Sequence, residues 1–254
     1  MGFLAGKKGL IVGIANDQSI AWGCAKHMRA AGADIAVTYL NEKADKYVRP
    51  LAEQLESEIY EPLNVSKPEQ IDELFKKIED KWGKLDFIVH SIAFARLEDL
   101  HGRVIDCSPD GFAESMDISC HSFLRLAKKA EPLMKDGGSM LTVSYYGSEK
   151  VIDNYNVMGV SKAALEASVR YAAAELGPKG IAVNAVSPGP LLTRAASGIA
   201  GFDKLMQYAI DNSPSGKLVT IDDVGQYATF LVSDAARHVT GNTLYVDGGL
   251  HIKG

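Results

Sequence analysis

Short apolar runs alternate with longer amphipathic segments almost from the first residue, and this alternation constrains the fold more than any other feature of the chain. The apolar runs span residues 9–12, 35–39, 59–63, 87–90, 139–143, 181–186 and 243–246. Most are continuously apolar, the pattern of strands buried on both faces. Between them, residues 19–31, 42–56, 68–81, 110–134, 154–175 and 221–233 read as helices. Gly32, Gly83 and Gly177-Pro178 follow three of these segments as stop signals, and Pro68 and Pro109 suit first-turn positions. A repeated β-α-β-α order predicts an α/β fold: a Rossmann-like doubly wound domain whose mostly parallel seven-stranded sheet carries helices on both faces. No linker, internal repeat or low-complexity tract interrupts the pattern, so residues 1–254 are expected to form a single domain.

Composition narrows the class of protein. A hydrophobic content of 46% and a charged content of 23% are those of an ordinary globular chain. A net charge of -5, without a block of like charge, argues against a nucleic-acid surface. Cys24, Cys107 and Cys120 are far apart and form no C-x-x-C pair, so they are expected as buried small hydrophobes in a reducing compartment. The N-terminus runs into a strand without a cleavage pattern, and no apolar run approaches membrane-spanning length. A cytoplasmic protein without membrane insertion is expected.

Two long stretches break the rhythm, residues 92–108 and 187–215. Both follow strand C-terminal ends, where open α/β sheets bind ligands. The first strand runs into Gly13-Ile14-Ala15-Asn16-Asp17-Gln18-Ser19-Ile20-Ala21-Trp22-Gly23. Gly13 suits a tight turn, Ser19 a helix cap, and Gly23 close packing of that helix on the sheet; the helix start would then receive a pyrophosphate. The second strand ends Thr38-Tyr39-Leu40-Asn41-Glu42-Lys43, with neither an acid nor a base at the strand end itself. The lack of an arginine there favours NADH over NADPH. Asn64-Val65 follow the third strand, where Asn64 is equally well read as an adenine contact or as a turn residue.

The chemistry concentrates in residues 144–170. Tyr145 and Tyr155 lie ten positions apart, and Lys162 lies seven after Tyr155. On a helix, seven residues are two turns less about 20°, so Tyr155 and Lys162 share a face, with Cα atoms about 10 Å apart along the axis. A phenol, a fixed cation and a second phenol suit proton donation and oxyanion stabilisation. His90 ends the fourth strand and reads as structural. No cluster of His, Cys and acidic residues suggests a metal.

Taken together, the chain resembles the short-chain dehydrogenase/reductase superfamily, with consistent departures. Met158, not a tyrosine, lies four residues before Lys162, and His90-Ser91-Ile92-Ala93 replaces the usual Asn-Asn-Ala-Gly. With the stretched glycine motif, these features resemble the divergent branch formed by bacterial enoyl-[acyl-carrier-protein] reductases of type II fatty acid synthesis. MGFLAGKKGLIVG, FIVHSIAFA, NYNVMGVSKAALEASVRYAA, AVNAVSPGPLLTRAASGI and VDGG carry that similarity from Met1 to about Gly249.

The resemblance implies NADH-dependent reduction of a trans-2-enoyl thioester carried by acyl carrier protein, in a homotetramer. It makes Tyr155 and Tyr145 the active-site tyrosines and Lys162 the lysine that anchors the cofactor. It assigns cofactor contacts to Gly13, Ser19, Ile20, Leu40, Asn64, Val65, Ile92, Leu191, Leu192, Thr193, Arg194 and Ala195, and a substrate contact to Ala95. Leu40 stands where a polar residue is frequent, and Asn64 where an aspartate is common. Residues 197–206 hold only Lys204 as a base. The small-residue run within about 188–213 is expected to act as a lid over the acyl chain. The alternatives are a carbonyl reductase or 3-hydroxyacyl dehydrogenase of the same superfamily, and a catalytically silent NAD-binding regulator.

Overall fold

A computed structural model of the chain describes residues 2–193 and 201–253. Seven strands form one sheet: β1 (Lys8–Val12), β2 (Asp34–Tyr39), β3 (Ile59–Pro62), β4 (Phe87–His90), β5 (Gly138–Val143), β6 (Ile181–Pro188) and β7 (Thr243–Val246). Their order is β3-β2-β1-β4-β5-β6-β7. Every neighbouring pair is parallel, so the sheet is wholly parallel where the sequence pattern predicts a mostly parallel one. The order reverses between β1 and β4, which opens a crevice at their C-terminal ends.

Successive residues of a strand face opposite sides, and each side has its own core. Leu10 and Val12 of β1 pack with Ile88, Met140, Phe123, Leu165 and Val169. Ile11, between them, packs on the other face with Val37, Met28, Leu141, Val186 and Val224. Full burial of a side chain of this size favours folding by about 1.5–3 kcal/mol, which is why strands apolar at every position are stable here.

The helices fall close to their predicted places, with instructive differences. They are α1 (Ile20–Ala30), α2 (Glu42–Gln54), α3 (Pro68–Trp82), α4 (Leu97–His101), α5 (Pro109–Met116), α6 (Ser122–Ala130), α7 (Asn156–Leu176), α8 (Phe202–Asn212) and α9 (Ile221–Leu231). The expected helix over 110–134 is interrupted: a π turn, Asp117–His121, separates α5 from α6, and a 3-10 turn, Glu131–Leu133, ends it. The stretch at 92–108 contains α4, and α8 lies inside the stretch at 187–215. Gly83 closes α3 in the left-handed region as expected, whereas Gly177 is right-handed and that role falls to Gly180.

Gly23 has a different partner from the one expected. A Cβ there would sit 2.2 Å from the carbonyl oxygen of Ile221, and one at Gly225 would sit 2.3 Å from that of Gly23. The two glycines therefore bring α1 against α9, not α1 against the sheet. Cys24 and Cys120 are buried as expected, while Cys107 is only half-buried. Among the described residues no helix is long and apolar enough to cross a membrane.

Candidate active site

The C-terminal ends of β4, β5 and β6 and the start of α1 wall a cavity of about 320 Å³. Eight of the residues singled out from the sequence line it: Ile20, Ile92, Ala95, Tyr145, Tyr155, Lys162, Leu191 and Thr193. Phe94, Leu97, Leu100, Met158 and Phe202 complete its apolar wall. Arg194 and Ala195 lie outside the described residues. Leu192 is 61% exposed and does not line the cavity.

Tyr155 is the residue just before α7, so it stands at the start of the helix that carries Lys162 instead of lying within it. Its side chain is only 8% exposed, packed with Leu100 and Met158. The Tyr145 ring stands edge-on to it, with centroids 5.0 Å apart and planes at 70°. Burial raises the Tyr155 phenol well above its ordinary range, and Tyr145 and Glu166 add to the effect. Burial raises the Tyr145 phenol in the same direction. Both phenols therefore hold their protons at neutral pH and are available as donors.

Lys162 is 4% exposed. Its Nζ donates to the carbonyl of Val143 at 2.7 Å, which leaves further N–H donors. Desolvation lowers its pKa to about 8, against weaker support for the charged form from Cys120 and Glu166. A buried ammonium of this kind is one that a ligand hydroxyl can readily recruit.

His90 serves structure. It is fully buried, with Nδ1 2.8 Å from the Thr142 hydroxyl and Nε2 2.8 Å from that of Ser122. Ser122 donates its proton to Ile118 O at 2.6 Å. Its oxygen is thus left to accept from Nε2–H, and Nδ1 accepts from Thr142. Burial, then the nearby Lys162 charge, push the imidazole pKa down to about 3, so it stays neutral. The π turn places another hydroxyl: Ser119 accepts from Phe94 N at 2.9 Å and donates to Phe94 O at 3.0 Å. That clamp fixes the backbone beside Ala95, and helical periodicity alone gives no sign of it.

At the phosphate end, Gly13 has φ +109°, and a Cβ would meet Ser91 O at 2.0 Å, so the turn tolerates only a bare backbone. Ser19 occupies the cap position of α1 but does not cap it. Its hydroxyl faces back to accept from Ala15 N and Asn16 N, each at 3.0 Å. The first turn of α1 is left uncapped by that side chain, and Ile20, its first residue, borders the cavity. An uncapped helix start beside a bare glycine turn fits a pyrophosphate, hence a dinucleotide.

Leu40, Asn64 and Val65 stand away from the Tyr155 cavity, beyond the ends of β2 and β3. Leu40 is 57% exposed. Asn41 caps α2 by accepting from Ala44 N at 3.1 Å. Asn64 makes the turn anticipated for it, accepting from Ser66 N at 3.0 Å, and the Val65 carbonyl accepts from Arg125 Nη2 at 2.8 Å. Among the described residues no group of three His, Cys, Asp or Glu side chains is placed to hold a metal.

Sequence reasoning missed Glu166. It is 5% exposed, one turn beyond Lys162 on α7, and accepts from the hydroxyls of Ser144 at 2.5 Å and Ser148 at 2.6 Å. Its spacing of four from Lys162 is the signal that marks it on the same face.

A wholly parallel sheet reversing at β1/β4, a bare glycine turn and a buried lysine behind a tyrosine define a short-chain dehydrogenase/reductase. Comparison with known proteins is more specific. A family model described as "Enoyl-(Acyl carrier protein) reductase" matches residues 13–251. Enoyl-[acyl-carrier-protein] reductase [NADH] 1 of Rhizobium meliloti (strain 1021) is 49% identical over 253 residues, covering 100% of this chain and 93% of that protein. Its Aquifex aeolicus counterpart FabI is 48% identical over 255 residues, covering 100% and 94%.

Among solved structures, the enoyl-(acyl-carrier-protein) reductase of Anaplasma phagocytophilum in complex with NAD superposes with a TM-score of 0.96 at 51% identity, covering 100% of this chain and 97% of that one. The Bacillus cereus enoyl-acyl carrier protein reductase with NADP+ and indole naphthyridinone gives 0.97 at 42% identity, covering both chains fully at 100%. The chain belongs to the enoyl-[acyl-carrier-protein] reductase family.

Proposed function

We propose that this chain reduces trans-2-enoyl-[acyl-carrier-protein] to the saturated acyl-carrier-protein, with NADH as reductant, in type II fatty acid biosynthesis. The observation that carries the reading is a buried Tyr155 and a buried Lys162 on the wall of one apolar cavity. A nicotinamide bound there would supply the hydride that the β-carbon of the enoyl thioester takes up. Negative charge would then gather on the thioester oxygen, where Tyr155 would donate a hydrogen bond to it, and a proton from solvent taken up at the α-carbon would complete the saturated thioester. A phenol with a raised pKa does not lose its proton to solvent, so it is a donor throughout the neutral range. Lys162 holds the nicotinamide ribose hydroxyls and contributes a positive field that favours the enolate. Tyr145, edge-on to Tyr155, shapes the pocket and helps place the thioester.

Gly13, Ser19, Ile20, Ile92, Leu191, Leu192, Thr193, Arg194 and Ala195 form the cofactor's pyrophosphate and nicotinamide side; Leu40, Asn64 and Val65 form its adenosine side. Ala95 offers backbone to the substrate. NADPH fits less well, because no arginine stands within residues 38–43 at the end of β2 to receive a 2′-phosphate.

The whole chain acts as one dinucleotide-binding and catalytic domain whose lid, at about 188–213, covers the acyl chain. It works in the cytoplasm with acyl carrier protein, without nucleic acid or membrane insertion. It associates as a homotetramer, which the exposed apolar side chains Phe112, Val160 and Tyr171 on α5 and α7 support. The test of activity follows NADH absorbance with an enoyl thioester. Steady oxidation is expected; tight NADH binding without turnover of any enoyl thioester would instead mark a silent regulator.

A further inference from the structure

We propose that Glu166 is a positioning residue, whose buried carboxylate latches the loop that carries Tyr145 and thereby sets how Tyr145 stands against Tyr155. The inference deepens the reading above and rests on it. Lys162 and Glu166 lie one turn apart on α7 and grip consecutive residues at the end of β5. Lys162 Nζ donates to Val143 O at 2.7 Å, and the Ser144 hydroxyl donates to Glu166 Oε1 at 2.5 Å. The same oxygen accepts from the Ser148 hydroxyl at 2.6 Å. Ser144 and Ser148 bracket Tyr145, and Ser148 N closes the turn by donating to Tyr145 O at 2.9 Å. One carboxylate oxygen thus draws both ends of a short loop onto the helix that also carries Lys162.

The far side of the loop is held as well, since Glu149 accepts from the Tyr245 hydroxyl of β7 at 2.7 Å. A carboxyl group buried to this degree needs hydrogen bonds to replace its lost hydration, and two hydroxyl donors supply them here. Hydrogen bonds to a charged acceptor are also stiffer and shorter than neutral ones, which suits a part that fixes geometry. Loss of the latch would free Tyr145 from its edge-on position while leaving Tyr155, Lys162 and the cofactor turn in place.

The test compares Glu166→Ala, Glu166→Gln and Ser148→Ala with the parent enzyme in steady-state enoyl thioester reduction, normalised to NADH-binding sites. Each variant is also made on a Tyr145→Ala background. At pH 7, below the Lys162 value of about 8, and at saturating NADH, Glu166→Ala is expected to lose about 10-fold in kcat, the size of effect that small misplacement of an active-site group produces. Glu166→Gln keeps an acceptor oxygen and should restore kcat to within about 3-fold of the parent, while Ser148→Ala should fall between. On the Tyr145→Ala background all three penalties should shrink to under about 2-fold.

Unchanged kcat per site in Glu166→Ala, or an equal penalty with and without Tyr145, would overturn the proposal. Should Glu166→Ala not fold, Glu166→Gln and Ser148→Ala on the two backgrounds decide it in the same way. A parent enzyme that reduces no enoyl thioester is a separate outcome; it would overturn the functional reading before any variant is compared.

Discussion

At the scale of single residues, two ionisable groups are held away from their ordinary behaviour by burial, in directions that suit different tasks. The Tyr155 phenol is pushed up and stays a donor; the Lys162 ammonium is pulled down to about 8 and sits near the edge of its charged state. If the charged form holds the ribose, NADH affinity should fall as pH rises through about 8, by up to about 10-fold per unit beyond it. Lys162→Ala should bind NADH weakly and show no such limb. Isothermal titration from pH 7 to 10 checks this, and an affinity flat across that range would remove Lys162 from cofactor binding.

The stability consequence has the opposite sign. Between about 8 and the ordinary lysine value of 10.5 the unfolded lysine holds a proton that the folded one has lost. The penalty of burying the charge therefore weighs on the fold below 8 and lifts as pH climbs through that window. Tyr155 and Lys162 were legible as a pair from their spacing, although Tyr155 stands just before α7 and not on its face. Ser19 was read as a cap because capping residues are short and polar. Its hydroxyl instead meets Ala15 N and Asn16 N, a choice that depends on how the loop folds back and not on residue type.

At the scale of elements, all seven strands lie where the apolar runs put them; the five inner strands, buried on both faces, leave an almost unbroken apolar signature, while the edge strands β3 and β7 are only partly buried. The helices were less fully legible where geometry departs from the 3.6-residue period. The π turn at Asp117–His121 adds a residue to its helix, and periodicity before and after it still looks helical. That insertion is what lets Ser119 reach Phe94 and Ser122 reach His90. α4 is five residues long, too short to leave a periodic pattern. α8 hid inside a segment read as a lid because small residues and Gly201 precede it.

The lid reading belongs at this scale too. Phe202, at the start of α8, lines the Tyr155 cavity, so ligand contact and this segment are linked. Limited proteolysis should cut within 188–213 more slowly once NADH and an acyl ligand are both bound. Equal cutting with and without ligands would set the lid aside.

At the scale of the whole molecule, the reversal of strand order between β1 and β4 brings three distant stretches to one crevice. The Gly13 turn, the Ile92–Ala95 backbone and the Tyr155–Lys162 helix converge although about 150 residues separate the first from the last. The proposed tetramer would draw on the exposed apolar side chains of α5 and α7. Light scattering should give a mass about four times the 27.3 kDa of the chain. A monomer at micromolar concentration would contradict the tetramer.

The central claim is that this convergence serves a conjugated double bond rather than a carbonyl, and one measurement tests it directly. NADH oxidation is followed with crotonyl thioester and with acetoacetyl thioester under identical conditions. The account predicts that kcat/KM for the crotonyl compound exceeds that for the acetoacetyl compound by at least about 100-fold, the range over which differential transition-state stabilisation separates substrates. A preference for the acetoacetyl thioester would contradict it.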